Sequence, residues 1–236
     1  MATYNLIITD VTQYGNSYYG IRYCVAGWDI DRKRMIRPEP PEANAAVELS
    51  RFWDSKYVGP GKLFEVGNVV QLELRSAPNN FPFPHATEDR MFLANEPHGK
   101  SRKLALVDVA AAVRAGISAS LQASFGQQLV RKQNRKSFIP ANTKTNSLDA
   151  IEVLPADIHF FENVDGNKRK LRALIDQDGV EYDFSVPAEA AKARGADGLN
   201  LDVKNSSRVH VRLGLSRPMA SDPHSCATQI NGVYCL

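Results

Sequence analysis

The chain has 236 residues, 43% of them hydrophobic and 23% charged, with 29 Lys and Arg against 26 Asp and Glu, a balance that excludes intrinsic disorder as the main state and gives one large or two small domains. No apolar run approaches the roughly 18 to 20 residues that a membrane helix needs, and residues 1–10 lack a basic segment ahead of an apolar core, so a cytoplasmic protein with no membrane partner is expected. Cys24, Cys226 and Cys235 are too few for a disulfide framework, which agrees with a reducing compartment.

The first hundred residues read as β structure with long loops. Residues 4–8 form a short apolar run. Residues 20–27 alternate so that Ile21, Tyr23 and Val25 share one face and Arg22 takes the other. Polar residues 29–33 turn the chain into a strand over 34–37, which Pro38, Pro40 and Pro41 end because proline cannot donate to a ladder. A strand over 69–74 places Val70, Leu72 and Leu74 inward, and the proline-rich residues 78–84 form an extended loop that ends in His85-Ala86-Thr87-Glu88.

The middle of the chain changes period. Asp108 can cap a short helix that Gly116 stops, and residues 118–131 place Leu121, Phe125 and Leu129 on one helical face, ending in Arg131 and Lys132 where the helix dipole favours cations. Residues 141–147 are polar and aperiodic, the best linker candidate. Three strands then follow in a meander over 158–164, 170–175 and 180–186, with Asp165-Gly166 and Asp178-Gly179 as hairpin turns. A short helix over 188–196 precedes an amphipathic strand with Val209, Val211, Leu213 and Leu215 on its core face and Arg208, His210 and Arg212 on the other. A last strand over 226–234 is interrupted at Asn231-Gly232. The expected class is mainly β with a helical insertion: a barrel-like unit over 1–97, a basic helical connector and linker over 98–147, and a second barrel-like unit over 148–236.

Charge is concentrated in the connector. Between Lys100 and Lys136 stand eight basic residues and one acid, Asp108, so the remainder of the chain is net negative. Such an asymmetry makes a local positive field that attracts phosphates, although snorkelling lysines on a solvated helix end give the same count. Lys168, Lys170 and Arg172 match Arg208, His210 and Arg212 in parity, and on one sheet these six would form a cationic patch, with Tyr18, Tyr19, Trp28 and Trp53 as stacking surfaces.

Enzyme signatures are sparse. The phosphate loop, the dinucleotide glycine turn, the nucleophile elbow and the paired zinc histidines are missing. His224, Cys226 and Cys235 lack the C-x-x-C knuckle of a structural zinc. Asp202-Val203-Lys204 with Asp176 or Asp183 upstream satisfies half of a nuclease pattern, one short enough to arise by chance. No metal or cofactor is expected.

Several segments, in order, resemble the dual OB-containing domain family of bacteria, described as nucleic-acid-modification or nucleic-acid-associated modules, including in defence contexts. They are Cys24-Val25-Ala26-Gly27 leading into Met35-Ile36-Arg37-Pro38, Gly67-Asn68-Val69-Val70 followed by His85-Ala86-Thr87-Glu88, residues 181–186, Arg212-Leu213-Gly214-Leu215-Ser216-Arg217-Pro218, and the closing strand. The chain departs from the family at Val186-Pro187-Ala188 and at Ala86 and Asp89. The resemblance implies two OB-like barrels. The function expected is that of a nucleic-acid-binding accessory protein for single-stranded or distorted DNA or RNA, contacting it through Arg22, Trp28, Arg37, Arg131, Lys132, Lys168, Lys170, Arg172, Arg208, His210 and Arg212. The alternatives are an enzyme in which His85, Glu88 and Arg37 converge on nucleic acid, and a module that docks a protein partner through the helical connector.

Overall fold

The computed structural model describes residues 1–16, 20–43, 48–77, 81–93, 98–165, 168–219 and 221–236. Tyr18, Tyr19, Gly166 and part of the proline-rich loop lie outside the described residues. The chain divides into two compact units, Met1–Gly116 and Ile117–Leu236.

In the first unit, β1 (Ala2–Asn16), β2 (Gly20–Asp29) and β3 (Arg34–Glu39) form an antiparallel meander, followed by β4 (Asn68–Ser76), β5 (Asp89–Phe92) and β6 (His98–Lys103). β3 runs parallel to β5, β5 antiparallel to β4, and β4 pairs back onto β1. The hydrogen-bond circuit is therefore β1-β2-β3-β5-β4-β1, the five-stranded Greek-key barrel of an OB fold. A register shift between Ile8 and Asp10 bends β1, so that its first half pairs with β4 and its second half reaches only β2. Leu6, Ile8, Val25, Ile36, Val70, Leu72, Leu74 and Phe92 fill the barrel with Trp53, whose indole donates to the Pro38 carbonyl at 2.8 Å. Ile21 shares the face of Tyr23 and Val25 but is 52% exposed, because the β1–β2 ribbon extends past the barrel. The edge strand β6 lies along β4 and leads into α1 (Leu106–Ala112), whose Val109 is buried with Val113 just beyond it.

The second unit repeats this order. α2 (Ser124–Gln127) and the small hairpin β7 (Val130–Arg131) and β8 (Ser137–Pro140) precede β9 (Leu148–Val153), β10 (Ile158–Asp165), β11 (Lys168–Gln177), β12 (Val180–Ser185), α3 (Glu189–Lys204), β13 (Val209–Leu215) and β14 (Ser225–Cys235). The sheet order is β10-β11-β12-β14-β13-β9, and β9 and β10 are one strand interrupted at Leu154 by a short turn, so the circuit closes as in the first barrel. Here too the third and fifth strands, β12 and β14, run parallel. The meander has its predicted turn at Asp178-Gly179, both residues at positive φ. The predicted irregularity at Asn231 is a bulge: Arg212 faces Gly232, Leu213 faces Ile230, and Asn231 is the extra residue.

The middle of the chain differs from the sequence reading. The segment read as a connector is shared between the units, because β6 joins the first sheet while β7 and β8 join the second through β14. No helix spans 118–131. Phe125, Gly126 and Gln127 all have positive φ, and tertiary hydrogen bonds replace helical ones: Phe125 N donates to Asp149 at 2.7 Å, Thr145 Oγ1 to the Phe125 carbonyl at 2.7 Å, and Leu121 N to Gln177 at 2.7 Å. Leu121 and Phe125 still enter the core. The polar residues 141–147 are likewise bound into the second unit, where the Asn146 amide donates to Leu148 and Asp149. The helix expected over 188–196 continues to Lys204 across a break at Gly195, and it takes Asp202 with it, held by two hydrogen bonds from Arg194 at 2.6 and 2.7 Å.

Val209, Val211, Leu213 and Leu215 all lie in the second core. Val211→Asp would put an unpaired carboxylate there at a cost on the order of several kcal/mol. The expected result is little soluble protein and a collapsed melting temperature; an unchanged melting temperature would mean that Val211 faces solvent.

Candidate nucleic-acid interface

Outside the first barrel, where β3 meets β5, a buried polar network joins four charges. The parallel register sets Arg37 opposite Asp89, and the Arg37 guanidinium donates to the Asp89 carboxylate at 2.7 Å. Arg51, from the short helical turn Glu48–Arg51, donates to the other Asp89 oxygen and to Glu39 at 3.3 and 3.4 Å, and its guanidinium lies 3.8 Å from the Phe81 ring centroid. Burial opposes the Arg37 charge, but Asp89, Glu88 and Glu39 together outweigh it and raise its pKa. Glu88 also accepts from Arg37 N through its carbonyl, and His85 lies one helical turn earlier. The chain therefore brings Arg37, His85 and Glu88 into one neighbourhood, but all three are buried, His85 to 2% and Glu88 to 3% exposure. The network holds the β4–β5 loop and the Arg51 turn onto the barrel wall.

The basic face read on β13 is corrected. Arg208 is exposed and pairs with Glu152 at 3.5 Å, whereas His210 and Arg212 are buried, because β13 is a central strand between β9 and β14 with both faces covered. The His210 ring stacks on Tyr234 with centroids 5.3 Å apart, and its Nδ1 is 4.0 Å from Glu152. Burial and the nearby Arg212 charge push its pKa down to about 3, so the imidazole is neutral. The six cations also do not share a patch, since β12 and β14 separate β11 from β13. On β11, which Lys168 opens, Lys170 is exposed and Arg172 is held by Asp183 at 2.8 Å. Trp28 is buried too: a Cβ at Gly116 would stand 2.6 Å from its ring, so glycine there lets the chain close over the indole. Like Arg37, it is out of a ligand's reach.

The exposed cations cluster elsewhere. The β7–β8 hairpin presents Arg131, Lys132, Arg135 and Lys136, all exposed. Arg131 lies 5.6 Å from the Tyr182 ring centroid and donates to the Glu181 carbonyl; Lys132 lies 4.6 Å from the Phe138 centroid and 3.5 Å from Asp222; Arg135 pairs with Glu181 at 3.0 Å. Exposed pairs of this kind are weak and leave the cations open to exchange for phosphate. In the first unit the β6 edge carries Lys100, Arg102 and Lys103, also exposed, with Lys103 paired to Glu65.

The sequence reading missed a cluster on the β1–β2 ribbon. Past the β1 bulge Tyr14 and Arg22 stand opposite each other on the outer face of the ribbon, both half-buried, and Phe52 packs on Tyr14 with centroids 5.0 Å apart and planes at 56°. Alternation in residues 20–25 gave the face of Arg22, but the bulge hides the face of Tyr14, because an added residue inverts parity downstream.

A family model described as the dual OB-containing domain matches residues 11–231. No curated protein matches the chain. Among solved structures it is similar to a murine DNA-binding protein bound to double-stranded DNA (6% identity, TM-score 0.33, covering 99% of this chain and 97% of that one) and to the tetrameric p202 HIN2 (9% identity, TM-score 0.33, covering 99% and 92%).

Two outcomes follow from the buried charges. Asp89→Asn removes the carboxylate shared by Arg37 and Arg51 and should destabilise the protein by about 3–5 kcal/mol, read from the urea midpoint; an unshifted midpoint would show that the network does not hold the loop. For His210 the folded pKa lies below the unfolded one, so stability is lost as pH falls from about 6.5 towards 3, by up to about 1.4 kcal/mol per unit, as the unfolded chain takes up a proton that the folded chain refuses. His210→Leu should flatten that part of the stability–pH curve, and equal slopes in both proteins would exclude His210 as its source.

Proposed function

We propose that this chain, which belongs to the dual OB-containing domain family, is a nucleic-acid-binding protein that contacts phosphates through the exposed cations of its second barrel. The observation that carries the reading is the β7–β8 hairpin, where four exposed basic side chains stand within six residues and two of them lie over aromatic rings. Cations displaced from weak surface pairs neutralise backbone phosphates and release counterions, which makes affinity steeply dependent on salt. Two successive barrels in OB strand order supply the scaffold on which such contacts track a strand. An accessory role in a bacterial nucleic-acid modification or defence system, without catalysis of its own, completes the proposal; the burial of His85 and Glu88 supports the non-catalytic reading, since an acid–base pair must reach its substrate. Docking of a protein through the former connector has less support, because Val109, Val113, Leu121 and Phe125 are already buried.

The test is a binding titration with short DNA and RNA oligonucleotides over a range of salt. Arg131→Glu/Lys132→Glu should weaken binding nearly independently of base sequence and reduce the salt slope by roughly 0.7 unit for each single-strand phosphate that is no longer neutralised. Its stability should change by no more than about 0.5 kcal/mol, as these side chains are exposed. Unchanged affinity and slope would remove the hairpin from the interface, and a wild type without salt-sensitive affinity for any nucleic acid would overturn the function.

A further inference from the structure

The β7–β8 hairpin is seated on β12 by hydrogen bonds to the main chain. The Asp183 N–H donates to the Arg135 carbonyl at 3.0 Å, Arg131 Nε donates to the Glu181 carbonyl at 2.9 Å, and Arg135 takes a left-handed conformation in the turn, with φ at 67°. The Glu181 carboxylate is separate from these bonds. It meets the Arg135 guanidinium at 3.0 Å, in a pair whose side chains are 47% and 48% exposed. The pairs of Arg37 and Arg51 offset burial; a pair this exposed has no burial to offset. The sheet register also sets Glu181 directly opposite Asp176, where like charges repel, and Arg135 relieves that repulsion. Lys132 has a different partner, since the Asp222 carboxylate also accepts from Ser225 Oγ. A phosphate that draws Lys132 away leaves Asp222 with Ser225, whereas one that draws Arg135 away leaves Glu181 facing Asp176. Carboxylate and phosphate present a guanidinium with the same pair of acceptor oxygens, so the Glu181 carboxylate occupies the place that a phosphate would take.

We propose that Glu181 is an internal competitor of the nucleic-acid phosphate: its carboxylate holds Arg135 in the free protein and is displaced when a phosphate takes the guanidinium. This rests on the nucleic-acid-binding reading above and adds its regulation. The hairpin binds more weakly than its four cations alone would allow, because Arg135 must first be released and Glu181 is then left beside Asp176. Glu181 acts through Arg135 and is a positioning residue, with no contact of its own to the ligand. Removing its charge leaves the number of neutralised phosphates as it was and takes away only the competition.

The experiment titrates one single-stranded oligonucleotide, over a range of salt, with the wild type, Glu181→Gln, Arg135→Gln and the double variant. Glu181→Gln should tighten binding by about 1.4- to 5-fold, the worth of an exposed ion pair. Its salt slope should change by less than the roughly 0.7 unit that one further phosphate contact would add. Arg135→Gln should weaken binding, and in that background Glu181→Gln should have no effect, because the competitor has nothing left to hold. Asp178→Asn removes the same charge from the exposed β11–β12 turn, at a residue in no ion pair among the described residues, and should tighten binding by less than Glu181→Gln. The bonds from Asp183 N–H and to the Glu181 carbonyl survive in every variant, so melting temperatures should coincide. Equal tightening in the wild-type and Arg135→Gln backgrounds, or by Asp178→Asn, would reduce the effect to net charge and overturn the proposal. Unchanged or weakened binding by Glu181→Gln, or a slope raised by the full 0.7, would do the same. If that happens while Arg131→Glu/Lys132→Glu still weakens salt-dependent binding, the general function stands and only the competitor falls; if the wild type shows no salt-sensitive binding to any nucleic acid, both fall.

Discussion

Each barrel depends on one contact, the parallel pairing of its third and fifth strands. Every other neighbour in the circuit is antiparallel, from three registered pairs of β2 with β3 and of β4 with β5 to ten of β1 with β2, while the parallel seam has three pairs in the first barrel and one, Ser185 with Gln229, in the second. A seam so short gives little cooperative hydrogen bonding. The first barrel reinforces it with side chains: the Arg37–Asp89 pair lies on the seam itself, and Arg51 ties it to Glu39. In the second barrel the strands beside the seam are held by Val186 donating to Leu171, and Gln229 bonds Asn231 at 3.0 Å.

This arrangement sorts the charged residues by what surrounds them. Taking a guanidinium out of water is costly, and carboxylates that meet it offset that cost. Arg37 and Arg51 have such partners and act in the architecture. Arg131, Lys132, Arg135 and Lys136 remain in solvent, where their pairs are weak and exchangeable. The basic stretch that looked like a single feature in the sequence is divided between an edge strand of one barrel and a hairpin of the other. Lysines and arginines on an edge such as β6 also discourage pairing with another chain, so those three cations have a structural reason to be there whatever they bind.

The order 1-2-3-5-4-1 occurs twice without a repeat visible in the residues. In the first barrel the bend that lets strand one serve both neighbours is a bulge at Ile8–Asp10; in the second it is a full interruption between β9 and β10. The link between strands three and four is α3 in one barrel and, in the other, the loop that supplies Trp53 and Phe64 to the core. Different residues meet the same topological demand, and for that reason identity along the chain is silent where topology is plain.

Local pattern was enough for much of this molecule. Alternation identified the core faces of β2, β4 and β13, Asp178-Gly179 marked a hairpin whose positive φ values those residue types favour, and the ordered family segments pointed to two barrels. The same alternation separated Arg208, His210 and Arg212 from Val209 and Val211, but it could not tell that the second face of β13 is also covered, since parity says which side chains share a face and not what packs on it. The helical spacing of Leu121 and Phe125 correctly marked them as core and wrongly implied a helix, because Asp149, Thr145 and Gln177, distant in sequence, offer their backbone groups other partners. The bulge in β1, which carries Tyr14 to the side of Arg22, is likewise set by pairing with two strands at once. Side-chain pattern is a property of neighbours along the chain and was legible in the sequence; burial of a second face, substituted hydrogen bonds and bulge register are properties of neighbours in space, and only the closed tertiary structure decided them.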